Sequence, residues 1–378
     1  MAPTPPTGAG KAARGGFSIG DVFGRLAAML VALPSAIAFG LLVYAPLGPG
    51  LSSAGAMAGI LGTVAIGLVS PLFGGTPRLV SAPCAPAAAV LGTFAVAAIA
   101  PGPEAMSPAA VPFLLAVVAL GAGGLQVLFG VLGGGRLIKF IPYPVVAGYL
   151  SGVGMIIVLG QLPKLIGLPK GVPLLSGLLA PSQWSWPALV VAGTAVAVML
   201  LAPKITRKVP APILALLGAT VTFGALGFLV PELRVLDHNP YIIGPIRAEG
   251  AGGFLEGMAA RLREAVALGP KRIAPFLTHA VTLAVLLSVD TLKTCVILDA
   301  LTRSRHNSNR ELIGQGLGNL AAGALGGMPG AGTMGATLVN LNSGGATRLS
   351  GVLVGAFALL VLLLLGPLVA CELPELGA

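Results

Sequence analysis

The sequence predicts an all-α polytopic membrane protein with two discontinuous half-helices placed as an inverted repeat would place them. Three observations carry this. The mean hydropathy is +0.96, with 56% of the 378 residues hydrophobic and only 9% charged, a composition outside the range of soluble globular domains. Apolar windows of about 20 residues, the length that crosses ~30 Å of hydrocarbon, recur along the whole chain. Two of these windows, residues 79–94 and 326–343, are interrupted by glycine, proline and serine. Unsatisfied backbone in hydrocarbon costs several kcal/mol per group, so broken segments are tolerated at membrane depth only where they pack in protein or line a cavity. Matching broken segments in two halves of a membrane protein point to a binding site between them.

Residues 1–23 read as an uncleaved cytoplasmic tail rich in proline, glycine and alanine. Residues 24–231 form the first repeat, with spans near 24–44 and 50–71, the first broken segment to 100, and then 111–133, 144–162, 187–202 and 212–230. Residues 232–274 form an outer loop in which Phe254, Leu255, Met258 and Leu262 alternate with Glu256, Arg261 and Glu264, the pattern of an interfacial amphipathic helix over 253–268. Residues 275–378 form a second repeat with spans near 275–301 and 311–325, the second broken segment, and 349–370. That makes about eleven spans. The second repeat is incomplete, with four where the first has seven, so the chain is expected either to be truncated relative to its fold or to receive the missing elements from elsewhere. Trp184 and Trp186 suit an aromatic belt at the membrane interface.

The net charge of +10 does not indicate nucleic acid, because the basic residues fall in short connections between spans. Lys11, Arg14, Arg78, Arg136, Lys139, Lys204, Arg303, Arg305 and Arg310 would share one side, and the short loops of the other side hold only Lys164 and Lys170. By the positive-inside rule the N-terminus is cytoplasmic. The expected setting is a bacterial inner membrane. Cys84, Cys295 and Cys371 are isolated and suggest neither a disulfide framework nor a zinc site.

Each broken segment runs from an extended strip into a helix former. A helix N-terminus carries about half a positive charge and free N–H donors, and so attracts anions without a basic side chain. The donors would lie at Cys84 and Ala85 through Ala87 in the first segment, and at Thr333, Gly335 and Ala336 in the second. Residues 330–335 match G-x-G-x-x-G, but no strand and βαβ unit surround them, so a dinucleotide site is rejected and no cofactor is expected. Within the span 275–301, Asp290 and Lys293 stand three apart with Thr294 beside them, on one helical face. Intramembrane ionisable residues are functional candidates by default. Lys293 would balance an anion and Asp290 would take a proton or counter a cation; the competing reading is a structural ion pair. Asp299 points elsewhere and reads as structural. Ser308 to Glu311 reads as a capping box with Ser308 at the N-cap. His306 reads as a solvated loop histidine, and neither His238 nor His279 has a catalytic partner, so no hydrolytic constellation and no enzyme activity are expected.

Three runs, Leu33 to Phe39, Gly135 to Gly148 and Arg305 to Gly316, together with the broken segments, resemble the SulP or solute carrier 26 family of anion transporters. The resemblance spans nearly everything from Asp21 to Ala370. It implies fourteen segments split into a core and a gate domain, a homodimer, and a small anion held between the two half-helices. It implies substrate-facing roles for Ser35 and Phe39, for Cys84, and for Gly335 and Ala336, with Asp290 where bacterial relatives often carry glutamate. Relatives often carry arginine at Ala336, and Lys293 would replace that charge. Against the family's 7+7 pattern, the chain is expected to be without its last three segments and its usual cytoplasmic STAS domain. The expected function is secondary transport of sulfate, bicarbonate or a similar anion by movement of core against gate, coupled to H⁺ or Na⁺ through Asp290. A nucleobase transporter of related fold would want a carboxylate on the tenth segment, and residues 330–343 contain none. A non-transporting scaffold and an anion channel are the remaining alternatives.

Overall fold

The computed structural model describes residues 19–101, 106–140, 143–169, 172, 174–205, 211–234, 269–342, 345 and 347–370. The helices in chain order are α1 (Ile19–Tyr44), α2 (Ser52–Phe73), α3 (Ala85–Ile99), α4 (Val111–Val131), α5 (Tyr143–Leu165), α6 (Leu174–Leu178), α7 (Trp186–Ile205), α8 (Ala211–Leu229), α9 (Gly269–Thr302), α10 (Ser308–Ala324), α11 (Met334–Asn342) and α12 (Arg348–Ala370). Two short strands, β1 (Ser81–Pro83) and β2 (Gly330–Gly332), precede α3 and α11. Every expected span therefore coincides with a helix, and α6 is an addition. The proposed interfacial helix at 253–268 lies outside the described residues.

Among the described residues, five helical stretches meet both length and apolarity for a full crossing: Arg25–Leu47, Ser52–Phe73, Pro108–Val131, Trp186–Ile205 and Phe276–Thr302. Helix α9 spans 34 residues, starting at Gly269. At 1.5 Å per residue that is about 50 Å, longer than the hydrocarbon layer.

Burial divides these helices into two groups. Helices α1, α2, α4, α9, α10 and α12 pack on one another, with α3 and α11 between them. Helices α7 and α8 pack mainly on each other, and only 6% of the apolar window of α7 is buried. In lipid there is little hydrophobic drive between helices, so close packing depends on small residues that let backbones approach. Gly59 of α2 lies against the Ala36 carbonyl of α1, and Gly316 of α10 against the Gly123 carbonyl of α4, with no room for a Cβ at either glycine. The main core joins α1, α3, α4 and α9 through Val43, Leu91, Phe94, Leu115, Phe276 and Leu287. A second cluster joins α1, α2, α11 and α12 through Met29, Val64, Ala336 and Val354.

The two broken segments meet at the centre. Strands β1 and β2 pair antiparallel, with Ser81 opposite Gly332, Ala82 opposite Ala331 and Pro83 opposite Gly330. All six residues are buried. Because the register is antiparallel, α3 and α11 leave opposite ends of this ribbon, and the positive end of each dipole faces it.

Candidate functional site

A short ribbon inside an apolar bundle leaves outer backbone groups without ladder partners, and each must be paired elsewhere. Asn319 of α10 pairs both groups of Gly330: its Oδ1 accepts from Gly330 N–H at 2.8 Å, and its Nδ2 donates to the Gly330 carbonyl at 3.0 Å. The same Nδ2 donates to Gln126 Oε1 of α4 at 2.6 Å. Thr291 Oγ1 of α9 accepts from Gly332 N–H at 3.1 Å, and Thr294 Oγ1 donates to the Gly332 carbonyl at 2.9 Å. On the side of β1, Thr337 Oγ1 of α11 accepts from Val80 N–H at 3.1 Å, and Asn340 Nδ2 donates to the Arg78 carbonyl at 3.0 Å. Gln315 Nε2 donates to Ser81 Oγ at 2.5 Å. Side chains from α4, α9, α10 and α11 thus fix the strips in place.

Sequence reasoning missed Gln126, Thr291, Gln315, Asn319, Thr337 and Asn340. One signal was available: Glu311, Gln315 and Asn319 recur every four residues in an otherwise apolar span, which places a polar stripe on one face. The capping box at this point is corrected. The N-cap of α10 is Asn307, whose Oδ1 accepts from Arg310 N–H at 3.0 Å. Glu311 is buried and does not reach back to the cap; it accepts from Gly75 N–H at 2.8 Å and from Gln315 Nε2 at 3.1 Å. It thereby ties the loop before β1 to α10.

Cys84 is the N-cap residue of α3, buried, with no capping bond from its side chain. Ala85 opens the helix and is half-buried. Thr333 follows β2, and its N–H donates to the Val80 carbonyl at 2.9 Å, continuing the ribbon by one bond. Gly335 is exposed, with open space where a Cβ would stand. Ala336, its neighbour, turns into the cluster with Ala28, Val64 and Val354. Ser35 is exposed on α1 and donates to the Val31 carbonyl at 3.1 Å. Phe39, one turn on, packs against the cluster that contains Cys84. Helix α1, which carries Ser35 and Phe39, contacts α3, α11 and β1.

Lys293 Nζ donates to Asp290 Oδ1 at 2.6 Å, with side-chain exposures of 21% and 11%. The pair lies within electrostatic reach of Cys84 at the start of α3, and Thr291, between its two members in sequence, and Thr294, directly after it, hold β2. The histidine expected to be solvated is instead engaged on both ring nitrogens. His306 Nδ1 lies 2.7 Å from Asp299 Oδ2, its Nε2 lies 2.9 Å from Ser308 Oγ, and its side chain is 7% exposed. Asp299 also accepts from the His306 N–H at 2.9 Å and from Ser304 Oγ at 3.1 Å. The carboxylate–imidazole–hydroxyl chain clasps the end of α9 to the start of α10. Sequence reading missed it because His306 and Asp299 are seven apart and meet only through the turn at Arg303, whose φ is +52°.

Comparison with known proteins places this geometry. The chain is 36% identical over 355 residues to the bicarbonate transporter BicA of Picosynechococcus sp., covering 91% of this chain and 57% of that protein. It is 34% identical over 366 residues to BicA of Synechocystis sp., covering 94% and 58%. The putative sulfate transporter YbaR of Bacillus subtilis is 26% identical over 92% of this chain and 62% of its own. The chain thus spans somewhat more than half the length of these relatives. Among solved structures, the transmembrane domain of a cyanobacterial BicA superposes with a TM-score of 0.73 at 33% identity, over 93% of this chain and 83% of that one. Murine solute carrier 26 member A9 shares the fold, with a TM-score of 0.69 at 16% identity over 94% of this chain and 58% of that one. The inverted-repeat membrane fold read from the sequence is that of these neighbours. The model of the sulfate permease family matches residues 19–375, and the chain belongs to that family.

Proposed function

We propose that this chain moves a small oxyanion or carboxylate anion, of the bicarbonate or sulfate class, across a bacterial inner membrane. The observation that carries this reading is the buried β1–β2 ribbon flanked by the N-termini of α3 and α11, with the Asp290–Lys293 pair of α9 beside it. Free N–H donors and aligned peptide dipoles at both helix starts favour negative charge. The names of the BicA relatives and of YbaR support the anion class. In the proposed site the anion rests against Cys84 and Ala85 on one side and Thr333, Gly335 and Ala336 on the other, with Ser35 and Phe39 of α1 closing the wall. Lys293 supplies the mobile positive charge that Ala336 does not.

Movement divides along the packing boundary. Helices α1 to α4 and α9 to α12 form the rigid core that carries the site, and α5, α7 and α8 form a gate against which it slides in an elevator-like step, within a homodimer. Asp290 is the coupling group for H⁺ or Na⁺, because it is the carboxylate on the helix that holds β2, and a proton or a bound Na⁺ neutralises its charge. Labelled sulfate and bicarbonate uptake into proteoliposomes under imposed pH and Na⁺ gradients tests both claims. Wild type accumulates one of the anions in a gradient-dependent manner, and Asp290→Asn loses that dependence. A gradient response that persists in the variant rejects Asp290 as the coupling group, and no uptake of any anion by the wild type rejects transport by this chain.

A further inference from the structure

Away from the ribbon, at the junction of α9 and α10, lies a cavity of about 660 Å³ lined, among the described residues, by Arg136, Asp299, Arg305, His306, Asn307, Ser308 and Asn309, with Val296 as an apolar wall. Arg136 belongs to a 3₁₀ segment, Gly134–Phe140, delivered by a turn at Gly133 with φ +82°. That segment is pressed onto α10: a Cβ on Gly135 would collide with the backbone of Ser308 and Asn309. The position of Arg136 relative to the start of α10 is therefore set by backbone contact and does not drift with a loop.

The charge balance of the cavity is one-sided. Among its described lining residues the single carboxylate, Asp299, already accepts from the His306 N–H, the His306 ring and Ser304 Oγ. No acidic group among the described residues pairs with the guanidinium of Arg136 or Arg305, and both are exposed. Asn309 Oδ1 is buried without a partner in the same wall. Two guanidinium groups without counter-ions, in a cleft within the roughly 300–1,000 Å³ usual for small-molecule sites, suit a planar or tetrahedral oxyanion that takes paired N–H donors. The cavity is many times larger than an inorganic anion needs, and its described lining residues apart from Val296 carry polar side chains, with no Phe, Tyr or Trp among them.

We infer that this cavity is a second anion site, separate from the ribbon, that takes a polyhydroxylated phosphate ester, with Arg136 and Arg305 on the phosphate and Asn307 and Asn309 on the hydroxyl groups. Such a ligand bridges the 3₁₀ segment, the end of α9 and the start of α10. The chemistry is shared by a soluble sugar phosphate and by the headgroup of a glycerophospholipid.

Thermal unfolding of the purified full chain in detergent tests the site without reference to transport. A ligand that binds only the folded state raises the midpoint with concentration. Glucose 6-phosphate as probe raises the midpoint of the wild type saturably, and sulfate at matched ionic strength raises it less. The double variant Arg136→Gln/Arg305→Gln loses the response. Arg348→Gln keeps it; that arginine donates to the Leu72 carbonyl at 3.0 Å and does not line the cavity. Arg136→Lys/Arg305→Lys preserves charge and fold but not the planar fork, and weakens the probe about tenfold. A wild type indifferent to the probe, or equal responses in wild type and the glutamine double variant, overturns the assignment. In nanodiscs, a lipid occupant shows as higher stability of the wild type in phosphatidylglycerol than in phosphatidylcholine, abolished in the double variant and leaving no further response to glucose 6-phosphate. A soluble occupant shows as a response to the probe that is the same in both lipids.

Discussion

Lys293 and Asp290 form a largely buried pair at 2.6 Å, and substitution can separate its structural role from the proposed one. Removing one member of a largely buried pair leaves the other charge uncompensated, at a cost on the order of 3 kcal/mol or more. Lys293→Ala is therefore expected to lower the unfolding midpoint, and the double variant Lys293→Ala/Asp290→Asn to recover most of that loss. Anion binding separates from stability here. Calorimetry is expected to show binding abolished or greatly weakened in Lys293→Ala, partly kept in Lys293→Arg, and not rescued in the double variant; equal affinity in all of them rejects a charge-balancing role for Lys293. Asn319 makes a simpler case. It is fully buried and pairs both backbone groups of Gly330 together with Gln126. Asn319→Leu leaves three buried groups unpaired at about 1–3 kcal/mol each, so loss of a cooperative thermal transition is expected, while Asn319→Asp, which keeps an acceptor for Gly330 N–H, loses less.

At the scale of elements, the ribbon is not self-supporting: its three residue pairs could not hold against water or lipid by ladder bonds alone. What keeps it is a frame of side chains from α4, α9, α10 and α11, and arginine clamps at the end of α2, where Arg310 Nε donates to the Phe73 carbonyl and Arg348 Nη1 to the Leu72 carbonyl. These donors satisfy carbonyls that a helix C-terminus leaves open. The frame predicts a contrast between two glycines. Gly59→Val forces α1 and α2 apart, because the new side chain meets the Ala36 carbonyl, and should markedly reduce folded yield in detergent. Gly335→Ala meets nothing and replaces a poor helix former by the best one. Its midpoint should stay level or rise, and a fall in anion uptake at unchanged stability would place the N-terminus of α11 at the transported ion. Unchanged uptake would remove Gly335 from the site.

At the scale of the whole molecule, the difference between packed and lipid-facing surface is steep. Helices α7 and α8 expose Leu200, Leu201, Ile205, Val221, Phe228 and Leu229, as spans facing hydrocarbon or further membrane segments do, whereas α2, α4 and α10 are buried in the core group. Orientation is the global property on which the basic residues bear. The positive-inside pattern predicts that a cysteine introduced at Thr7 reacts with a membrane-impermeant maleimide only after inside-out vesicles are prepared or cells are permeabilised. Labelling of intact cells would reverse the topology. Cys84 and Cys295 are buried and contribute little background.

The sequence by itself determined the membrane class, the sequence positions of the spans and the two places where the spans break, because hydrophobic length and helix breakers act locally and leave a one-dimensional record. It also marked Asp290 and Lys293 as neighbours, since three residues on a helix fix a shared face. Only the tertiary structure decided that the breaks pair with each other, that Asn319 and Thr291 hold them, that Glu311 faces Gly75 and not its own cap, and that His306 is clasped between Asp299 and Ser308. Glu311 and Gly75, for instance, lie 236 residues apart. Their geometry depends on how helices pack across lipid, where small residues and buried polar groups, invisible to hydropathy, choose the contacts.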